Sequence, residues 1–403
     1  MKLETQPANL VSTVRRNCPL CAGSRCDSVL SVNELPINIG RLWPDEQSAK
    51  AAPRGDVVLA FCRTCGFVFN AAYDSRRLSY EPGYEYSLHH SPSHREFLES
   101  TADRLVAKYE LYDKDIVEVG CGSGFFLQLL SQRGANRGWG FDPAVGTSRS
   151  IDCGAGRVTL TSDYYDASQR EIPCDMLVCR SMFELVEQPL GFLRAMRSML
   201  DDRPQARFYL DIPSAAYVFR KQALWNFFYE QCNYFVEATL CGAFHDAGFD
   251  VLASGECLGE GYYLYIEGAP AGRSPTQSAC GKLQTPSSDL LAMAERLESE
   301  RVAWRRRFSR WREQKKRVVA WGSGGRAINF LNMVEGASLV RHVIDINPAR
   351  HGGFISGSGQ QVVAPDELPA LSPDIVIVTN SLYGEEIRRH VAELNVTCEF
   401  AEI

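Results

Sequence analysis

The sequence predicts an α/β protein with two Rossmann-like units behind a small N-terminal metal-binding module. Two glycine-rich turns, at residues 120–124 and 322–325, each follow an apolar strand pattern and precede a helical pattern. Alternating strands and helices of this kind build a parallel, doubly wound sheet. Two C-x-x-C pairs lie ahead of both turns and indicate a bound metal.

The length and composition limit the number of cores and the class of partner. At 403 residues the chain is too long for one ordinary core, and 45% hydrophobic with 23% charged residues is typical of folded domains. We divide it into residues 1–75, 76–245 and 246–403. The formal net charge of −6 gives no global attraction to nucleic acid or to a membrane. We therefore expect neither nucleic acid nor a membrane as a partner, although a local charged patch is compatible with this net charge. The substrate is expected to be a small molecule, and the sequence leaves the oligomeric state open.

The start of the chain and the cysteine content bear on the compartment. The opening segment, MKLETQPANLVSTVRR, lacks the apolar core of a secretory signal, and no apolar run approaches the roughly 20 residues that span a bilayer. Without a secretory signal, the 14 cysteines are expected to bind metal or remain buried thiols. We expect a cytoplasmic protein.

The two C-x-x-C pairs predict a zinc site. Each pair bends so that both thiolates face one ion, and two pairs complete the tetrahedral shell that Zn²⁺ prefers. Four thiolates leave no open coordination position, so the metal is expected to be structural; its predicted ligands are Cys18, Cys21, Cys62 and Cys65. The alternatives are unligated thiols, a redox pair, or a nucleic-acid-binding ribbon. No sustained stripe of basic and aromatic residues supports the ribbon.

The first glycine turn predicts a site for S-adenosylmethionine (SAM). Its E-x-G-x-G-x-G pattern places Gly120, Gly122 and Gly124 where the backbone must turn sharply and approach a ligand. Glu118, at the strand end, is placed to receive the ammonium group of an amino acid cofactor. Asp142, which closes the next strand, is placed to hold ribose hydroxyls, as acids do in related folds.

Three further residues complete the predicted cofactor site. Asp163 and Tyr164 are expected to line the adenine pocket, and Arg180 ends the strand MLVCR at the same edge of the sheet. An NAD-binding Rossmann domain is the alternative for this block. The acid in the turn motif and the strands that follow it favour SAM.

The second glycine turn begins another Rossmann-like unit. Asp345 ends the next strand about twenty residues on, which fits a dinucleotide fingerprint. Beside the SAM motif we prefer recognition of a nucleotide-linked substrate, with backbone amides of residues 322–325 meeting its phosphates. Asn380 and Tyr383 follow a strand where such folds place ligand contacts. The alternative is a domain that only packs.

Five segments together resemble the sugar C-methyltransferase family of antibiotic biosynthesis, which acts on nucleotide-linked 4-keto deoxysugars. They are CPLC with CRTC, YEPGYEYSLHHSP, EVGCGSGFF, YEQCNYF, and VVAWGSGGRAINFLNMV with the segment that follows it. The resemblance covers nearly the whole chain. It implies a class I SAM-methyltransferase Rossmann-like core, an N-terminal zinc-binding module, and a C-terminal Rossmann-like domain that helps enclose the substrate.

The chemistry implied by this resemblance needs a base and a group that stabilises an oxyanion. A ketone acidifies the neighbouring C–H, a base removes the proton, and the enolate carbon attacks the SAM methyl. The family commonly has R-H-V-L-E-H and E-H at the positions where this chain has Ser181 and Gln231 in place of histidines. Neither side chain is a base near neutral pH.

Other residues are therefore candidates for acid-base work. Glu230 is a base if burial raises its pKa, and Tyr84 can steer a proton or bind an oxyanion. Tyr86 shares the linker with Tyr84, and His89 and His90 are the imidazoles nearest to it in sequence. Each has a structural alternative, as a packed or hydrogen-bonded side chain. We expect the acceptor to bind between the SAM domain and the C-terminal domain.

Other functions stay open at this point. The missing histidines favour, as the main alternative, N-, O- or C-methylation of a different natural-product intermediate, because an amine or an already acidic carbon needs less help from a base. A non-catalytic scaffold and an NAD-dependent oxidoreductase are further alternatives. Calorimetry with SAM and with NAD separates these classes.

Overall fold

The computed structural model describes residues 17–272 and 287–403, which form three β-sheets with flanking helices. The opening segment and most of the polar stretch 271–289, which we expect to be a loop, lie outside these residues. The strands are β1 Cys26–Pro36, β2 Arg54–Cys62, β3 Val68–Asn70, β4 Asp115–Val119, β5 Arg137–Phe141, β6 Arg149–Cys153, β7 Gly156–Thr161, β8 Met176–Arg180, β9 Arg207–Pro213, β10 Asn233–Tyr234, β11 Phe249–Cys257, β12 Tyr263–Pro270, β13 Val318–Trp321, β14 Val340–Ile344, β15 Gln361–Val363, β16 Ile375–Val378 and β17 Glu399–Glu402. The helices are α1 Glu46–Lys50, α2 Pro92–Tyr109, α3 Phe125–Gly134, α4 Pro189–Ser198, α5 Ala215–Arg220, α6 Glu237–Asp246, α7 Ser288–Glu313, α8 Gly325–Met333, α9 Leu368–Leu371 and α10 Gly384–Glu393.

The N-terminal sheet lies between the two larger units. Its order is β1–β2–β3–β10, so its last strand comes from a much later part of the chain. Strand β2 is buried on both faces: Val57 and Leu59 belong to the apolar cluster that contains α7 and α8, while Val58 and Ala60 belong to the cluster of the central sheet. A strand covered on both sides has a continuous apolar sequence, and VVLAFC has that character.

The central sheet carries the first glycine turn. Its order is β11–β12–β9–β8–β4–β5–β7–β6, and β4 pairs in parallel with both β5 and β8. The strand order reverses at β4, so a crevice opens at its carboxyl end, where ligands bind in such sheets. Strands β11 and β12 complete the opposite edge, with β12 antiparallel to β9. The predicted division at residue 245 therefore cuts this sheet, and we propose that the division falls after Pro270.

Helix α2 begins two residues earlier than its apparent capping box suggests. The pattern Ser93 to Glu96 fits a helix start, but the structure uses Ser91 as N-cap, with its hydroxyl accepting from the amide of His94. Pro92 is then the first helical residue, where its missing N–H costs nothing. The buried face carries the apolar residues Leu98, Ala102, Leu105 and Val106.

The C-terminal sheet is wholly parallel, in the order β15–β14–β13–β16–β17. The long helix α7 leads into it and buries Trp304 and Phe308 against Phe330 of α8. Its remaining surface is rich in charged residues. Within residues 17–272 and 287–403, none of the helices combines the length and apolar character that spanning a membrane requires.

Candidate functional site

The glycine turn after β4 is shaped by close packing and by an acid from the next strand. Gly120, Gly122 and Gly124 all have positive φ, at 71°, 51° and 77°. A Cβ at Gly124 would lie 2.7 Å from Leu160, whereas one at Gly122 meets nothing within 4 Å. Asp142 Oδ2 accepts a hydrogen bond from Gly122 N at 2.9 Å. The turn therefore keeps one glycine open toward a cavity and is held there by Asp142.

Glu118 lies at the floor of this cavity with unused bonding capacity. The side chain is buried, and its Oε2 has no hydrogen-bond partner among the described residues. Burial raises the pKa of Glu118 to about 8, which nearby Arg180 partly opposes. A buried carboxyl without a partner is costly, and a cationic group from a ligand would satisfy it. An ammonium group fits this position.

A cavity of about 750 Å³ extends from the turn toward the N-terminal module. Asp142 and Tyr164 line it, and burial raises the pKa of Asp142. Asp163 is exposed and outside the lining, with its carboxylate accepting from the amide of Tyr164 at 2.8 Å. Tyr165 lines the cavity instead, with a buried hydroxyl that lacks a partner among the described residues.

Arg180 is held by the protein. Its Nε donates to Asp211 Oδ2 at 2.7 Å, and its guanidinium lies 4.4 Å from the ring centroid of Phe126. The ion pair is almost completely buried, and Arg180 still borders the cavity. Sequence reasoning missed Asp211 because a strand interior gives no sign of a charged partner. The arginine therefore shapes the wall and sets the local charge.

The far half of the cavity contains the buried pair of Glu230 and Tyr84. Glu230 Oε2 accepts from Tyr84 Oη at 2.6 Å, and Oε1 accepts from Ile39 N at 2.8 Å. Burial raises the pKa of Glu230 to about 7, although both hydrogen bonds favour the ionised form. Burial also raises the pKa of Tyr84, so the phenol keeps its proton. Glu230 thus combines access to the cavity with the pKa of a general base.

The ring of Tyr84 rests on the backbone of Gly40, and this contact predicts a sensitive position. A Cβ at Gly40 would lie 2.4 Å from Tyr84 Cζ. We expect Gly40→Ala to displace the phenol from Glu230 and to lower turnover on the order of 10²-fold, the cost of about 1 Å of misplacement. Steady-state kinetics beside SAM titration checks this. Gly242→Ala is the matched control, because nothing lies within 4 Å of a Cβ there; equal turnover in both variants would contradict the role of the contact.

The predicted histidines have different surroundings. His89 lines the cavity, stacked 4.3 Å from the ring centroid of Phe125, and burial lowers its pKa to about 4. His90 is half-buried and outside the lining. Ser181 donates to Tyr263 Oη at 3.0 Å and has a φ of 47°.

Gln231, like Ser181, stands where the family that the sequence resembles has a histidine, and both residues line the cavity. Gln231 is buried and lines the cavity, and its Nε2 donates to Asn233 O at 3.3 Å. Gly124 supports the turn from outside the lining. Tyr86, by contrast, lines the cavity, although its side chain is partly exposed to solvent.

Three polar groups that sequence reasoning did not place together line the same cavity. Tyr80, Glu184 and Asn226 all line it, and each has a buried oxygen without a partner among the described residues. Burial raises the pKa of Glu184 to about 8. Buried polar groups without partners in a cavity are available to a polar ligand. They come from three distant segments, so no local pattern could have joined them.

The second glycine turn supports the cavity wall from behind. Asp345 Oδ2 accepts from Ser323 N at 2.8 Å and lies 4.0 Å from Arg350 Nε. A Cβ at Gly325 would lie 2.6 Å from the ring of Phe228, which lines the cavity. The acid that the dinucleotide fingerprint assigns to ribose is thus engaged within the protein. This packing does not support the predicted contact between the second glycine turn and the phosphates of a substrate.

The two C-x-x-C pairs meet in one cluster. The sulfur atoms of Cys18, Cys21, Cys62 and Cys65 all lie within 4.8 Å of one another. Across the cluster, Sγ of Cys18 and Cys65 are 3.7 Å apart and Sγ of Cys21 and Cys62 are 3.6 Å apart. A Cβ at Gly23 would lie 2.8 Å from Thr64 Oγ1, so glycine lets the two turns meet. The cluster has the donor set and compactness of a metal site.

Two known protein families match parts of this chain. Residues 90–254 match the family described as a methyltransferase domain, and residues 283–398 match the C-methyltransferase C-terminal domain. The first match contains the glycine turn and Glu118. The chain is a SAM-dependent methyltransferase that carries a C-methyltransferase C-terminal domain, and its central sheet is the class I Rossmann-like core of such enzymes.

Solved structures give more distant similarities. The magnesium protoporphyrin IX methyltransferase ChlM of Synechocystis PCC 6803 with bound SAH is 17% identical, with a TM-score of 0.34, over 44% of this chain and 84% of that one. The N,N-8-amino-8-demethyl-D-riboflavin dimethyltransferase RosA of Streptomyces davawensis is 17% identical, with a TM-score of 0.33, over 44% of this chain and 56% of that one. No curated protein sequence matches this chain.

Proposed function

We propose that this SAM-dependent methyltransferase methylates the carbon beside the ketone of a nucleotide-linked 4-keto deoxysugar. The observation that carries the proposal is the Glu230–Tyr84 pair, which faces the same cavity as the glycine turn. SAM is assigned to the turn half, with its ammonium group on Glu118 and its ribose near Asp142. The acceptor is assigned to the half lined by Glu230, Tyr84 and Glu184.

In the proposed reaction, Glu230 is the base and Tyr84 is the residue that orients it. Glu230 takes the proton from the carbon beside the ketone, and the electron pair moves onto the ketone oxygen. The enolate carbon then forms a bond to the methyl group that SAM supplies, and the bond between that methyl and sulfur breaks. Tyr84 keeps its proton and orients Glu230 before and after the transfer. General base catalysis of this type requires both contact and a pKa near neutrality.

We also propose that the four-cysteine cluster holds a structural Zn²⁺. Zn–S bonds of about 2.3 Å in a tetrahedron place sulfur atoms roughly 3.8 Å apart. The cross-cluster separations of 3.6 and 3.7 Å agree with that spacing. The ion would join the turn that contains Cys18 and Cys21 to the turn between β2 and β3, and so stabilise that end of the N-terminal sheet.

One observation favours a second acceptor class, an amine that is methylated on nitrogen. Glu184 is buried, faces the cavity and has an oxygen without a partner among the described residues. A carboxylate in that position would attract an ammonium group. An amine also needs less help from a base than a C–H bond does.

The proposed function is tested by incubating the enzyme with SAM and a thymidine diphosphate-linked 4-keto-6-deoxyglucose. We expect the product to gain one methyl group on carbon, identified by ¹³C NMR with a labelled SAM methyl. A solvent-deuterium exchange assay at the carbon beside the ketone, with SAH in place of SAM, measures proton removal alone. A labelled methyl on nitrogen of an amino sugar, without exchange at carbon, would favour the second class. No transfer to either sugar would reject both.

Asp142 offers a direct test of the assigned SAM half. Asp142→Ala removes the acceptor for Gly122 N and the proposed ribose contact, and a charge-assisted hydrogen bond contributes about 1.5–3 kcal/mol. We therefore expect SAM affinity, measured by calorimetry, to fall on the order of tenfold to a hundredfold. Asp163→Ala is the matched control, since that carboxylate is exposed outside the cavity. Equal affinities in the two variants would place the cofactor elsewhere.

A further inference from the structure

His94 is a third imidazole near the linker, and it lies on the cavity wall. It belongs to the first turn of α2, is 4% exposed and lines the cavity. Its ring centroid lies 6.2 Å from that of Tyr263. The hydroxyl of Tyr263 in turn accepts from Ser181, the position where the family pattern has a histidine. His94 is therefore connected to Ser181 through Tyr263, along one stretch of the cavity wall.

The orientation of His94 is set from the C-terminal unit. Its Nδ1 lies 3.3 Å from Tyr383 Oη, and burial raises the pKa of Tyr383, so that hydroxyl keeps its proton and can donate it. The start of α2 is fixed to the same unit, because Glu386 Oε2 accepts from Ser91 Oγ at 2.9 Å and Ser93 Oγ at 2.8 Å. A hydrogen bond donated to Nδ1 leaves the imidazole proton on Nε2.

The charge state of His94 suits a donor better than a base. Burial, together with Arg180 and His89, lowers the pKa of His94 to about 3, so the ring is neutral near pH 7. A neutral imidazole donates a hydrogen bond through its N–H without giving up the proton. Removal of a proton beside a ketone places negative charge on the ketone oxygen, and fixed donors aimed at such an oxygen stabilise the transition state.

We propose that His94, held as the Nε2–H tautomer by Tyr383, donates the hydrogen bond that stabilises the enolate oxygen of the acceptor. This role rests on the proposed C-methylation, in which Glu230 takes the proton. Tyr383 is then a positioning residue, through which the C-terminal unit acts on a cavity that it supports from behind. Tyr84, which the sequence suggested as a group that binds the oxyanion, donates its hydroxyl to Glu230 instead.

The kinetic test uses the same keto sugar with three variants. Loss of one oxyanion donor costs about 10²- to 10³-fold in kcat, so we expect His94→Phe to lose that much in both methyl transfer and deuterium exchange, with SAM affinity unchanged. His94→Gln keeps an amide N–H and should recover part of the loss. The kcat of Tyr383→Phe should lie between that of His94→Phe and that of the wild type. His245→Gln is the matched control, because His245 lies in the last turn of α6, outside the cavity lining.

A second measurement tests the tautomer without any substrate. In ¹⁵N-histidine NMR of the full chain, we expect the ring whose signals disappear in His94→Gln to have an unprotonated Nδ1 and a protonated Nε2, and its tautomers to be mixed in Tyr383→Phe. A protonated Nδ1 on His94 in the wild-type protein overturns the proposal. So does full activity of His94→Phe in an active wild-type background. A wild-type enzyme that neither exchanges nor methylates the keto sugar rejects the proposed C-methylation itself and the role of His94 with it.

Discussion

Replacing Glu230 with glutamine is expected to lower turnover by about 10²- to 10⁴-fold, the usual value of a general base. Glutamine keeps the size of the side chain and can still meet Ile39 N and Tyr84 Oη, but it cannot accept a proton. Because Glu230 lies in the acceptor half of the cavity, SAM affinity should be unchanged. Single-turnover kinetics with the keto sugar, beside calorimetry with SAM, measures both quantities.

The pH dependence gives an independent check on Glu230. Burial raises its pKa to about 7 in the enzyme without bound acceptor, and only the ionised form is a base, so kcat/KM should rise as the pH increases through about 7. Glu184→Gln is the matched comparison, because Glu184 is also a buried carboxyl on the cavity wall. Wild-type turnover in Glu230→Gln, together with loss of turnover in Glu184→Gln, would transfer the role of base to Glu184.

Cys62→Ser is expected to yield protein that fails to fold, with no zinc bound. A structural zinc site contributes folding free energy directly, on the order of 10 kcal/mol in small domains, which exceeds or matches the whole stability of many proteins. Cys62 also ends β2, which packs against both larger units. Circular dichroism, thermal denaturation and elemental analysis of the purified variant measure the loss.

The spare thiol beside the cluster provides the control. Cys26 starts β1 and contributes no sulfur to the four-cysteine group, so Cys26→Ser should bind one zinc per chain and melt like the wild type. Removing the metal with a chelator should destabilise wild type and Cys26→Ser equally. Well-folded wild-type protein that contains no metal would show the cluster to be a set of packed thiols.

Local sequence patterns predicted the parts of the site that lie close together in the chain. The turn with Glu118 and Gly122 and the cysteine pairs are short-range motifs, because their chemistry depends on backbone geometry over a few residues. The parallel pairing of β4 with β5 and of β8 with β9 followed from their alternation with helices. The antiparallel pairing of β6 with β7 did not, because none of the described residues between β5 and β8 forms an α-helix. These elements were sufficient to predict the location of the cavity at the carboxyl end of β4.

Long-range pairings account for what the sequence did not predict. His94 gave no signal as a site residue, since its partner Tyr383 is 289 positions away. Asp211 similarly lies 31 positions from Arg180. The helix start at Ser91 was missed for a local reason, because two serines compete as caps and the following proline decides between them.

The burial of β2 on both faces bears on how this enzyme can be taken apart. A gene fragment that encodes only the SAM-binding unit would expose the side that β2 and β3 now cover, and contiguous apolar surface of that kind promotes aggregation. A fragment of the C-terminal unit would expose the surface that meets Val57 and Leu59. In chimeras that exchange acceptor specificity between related enzymes, the N-terminal module therefore has to pack correctly against both of the larger units.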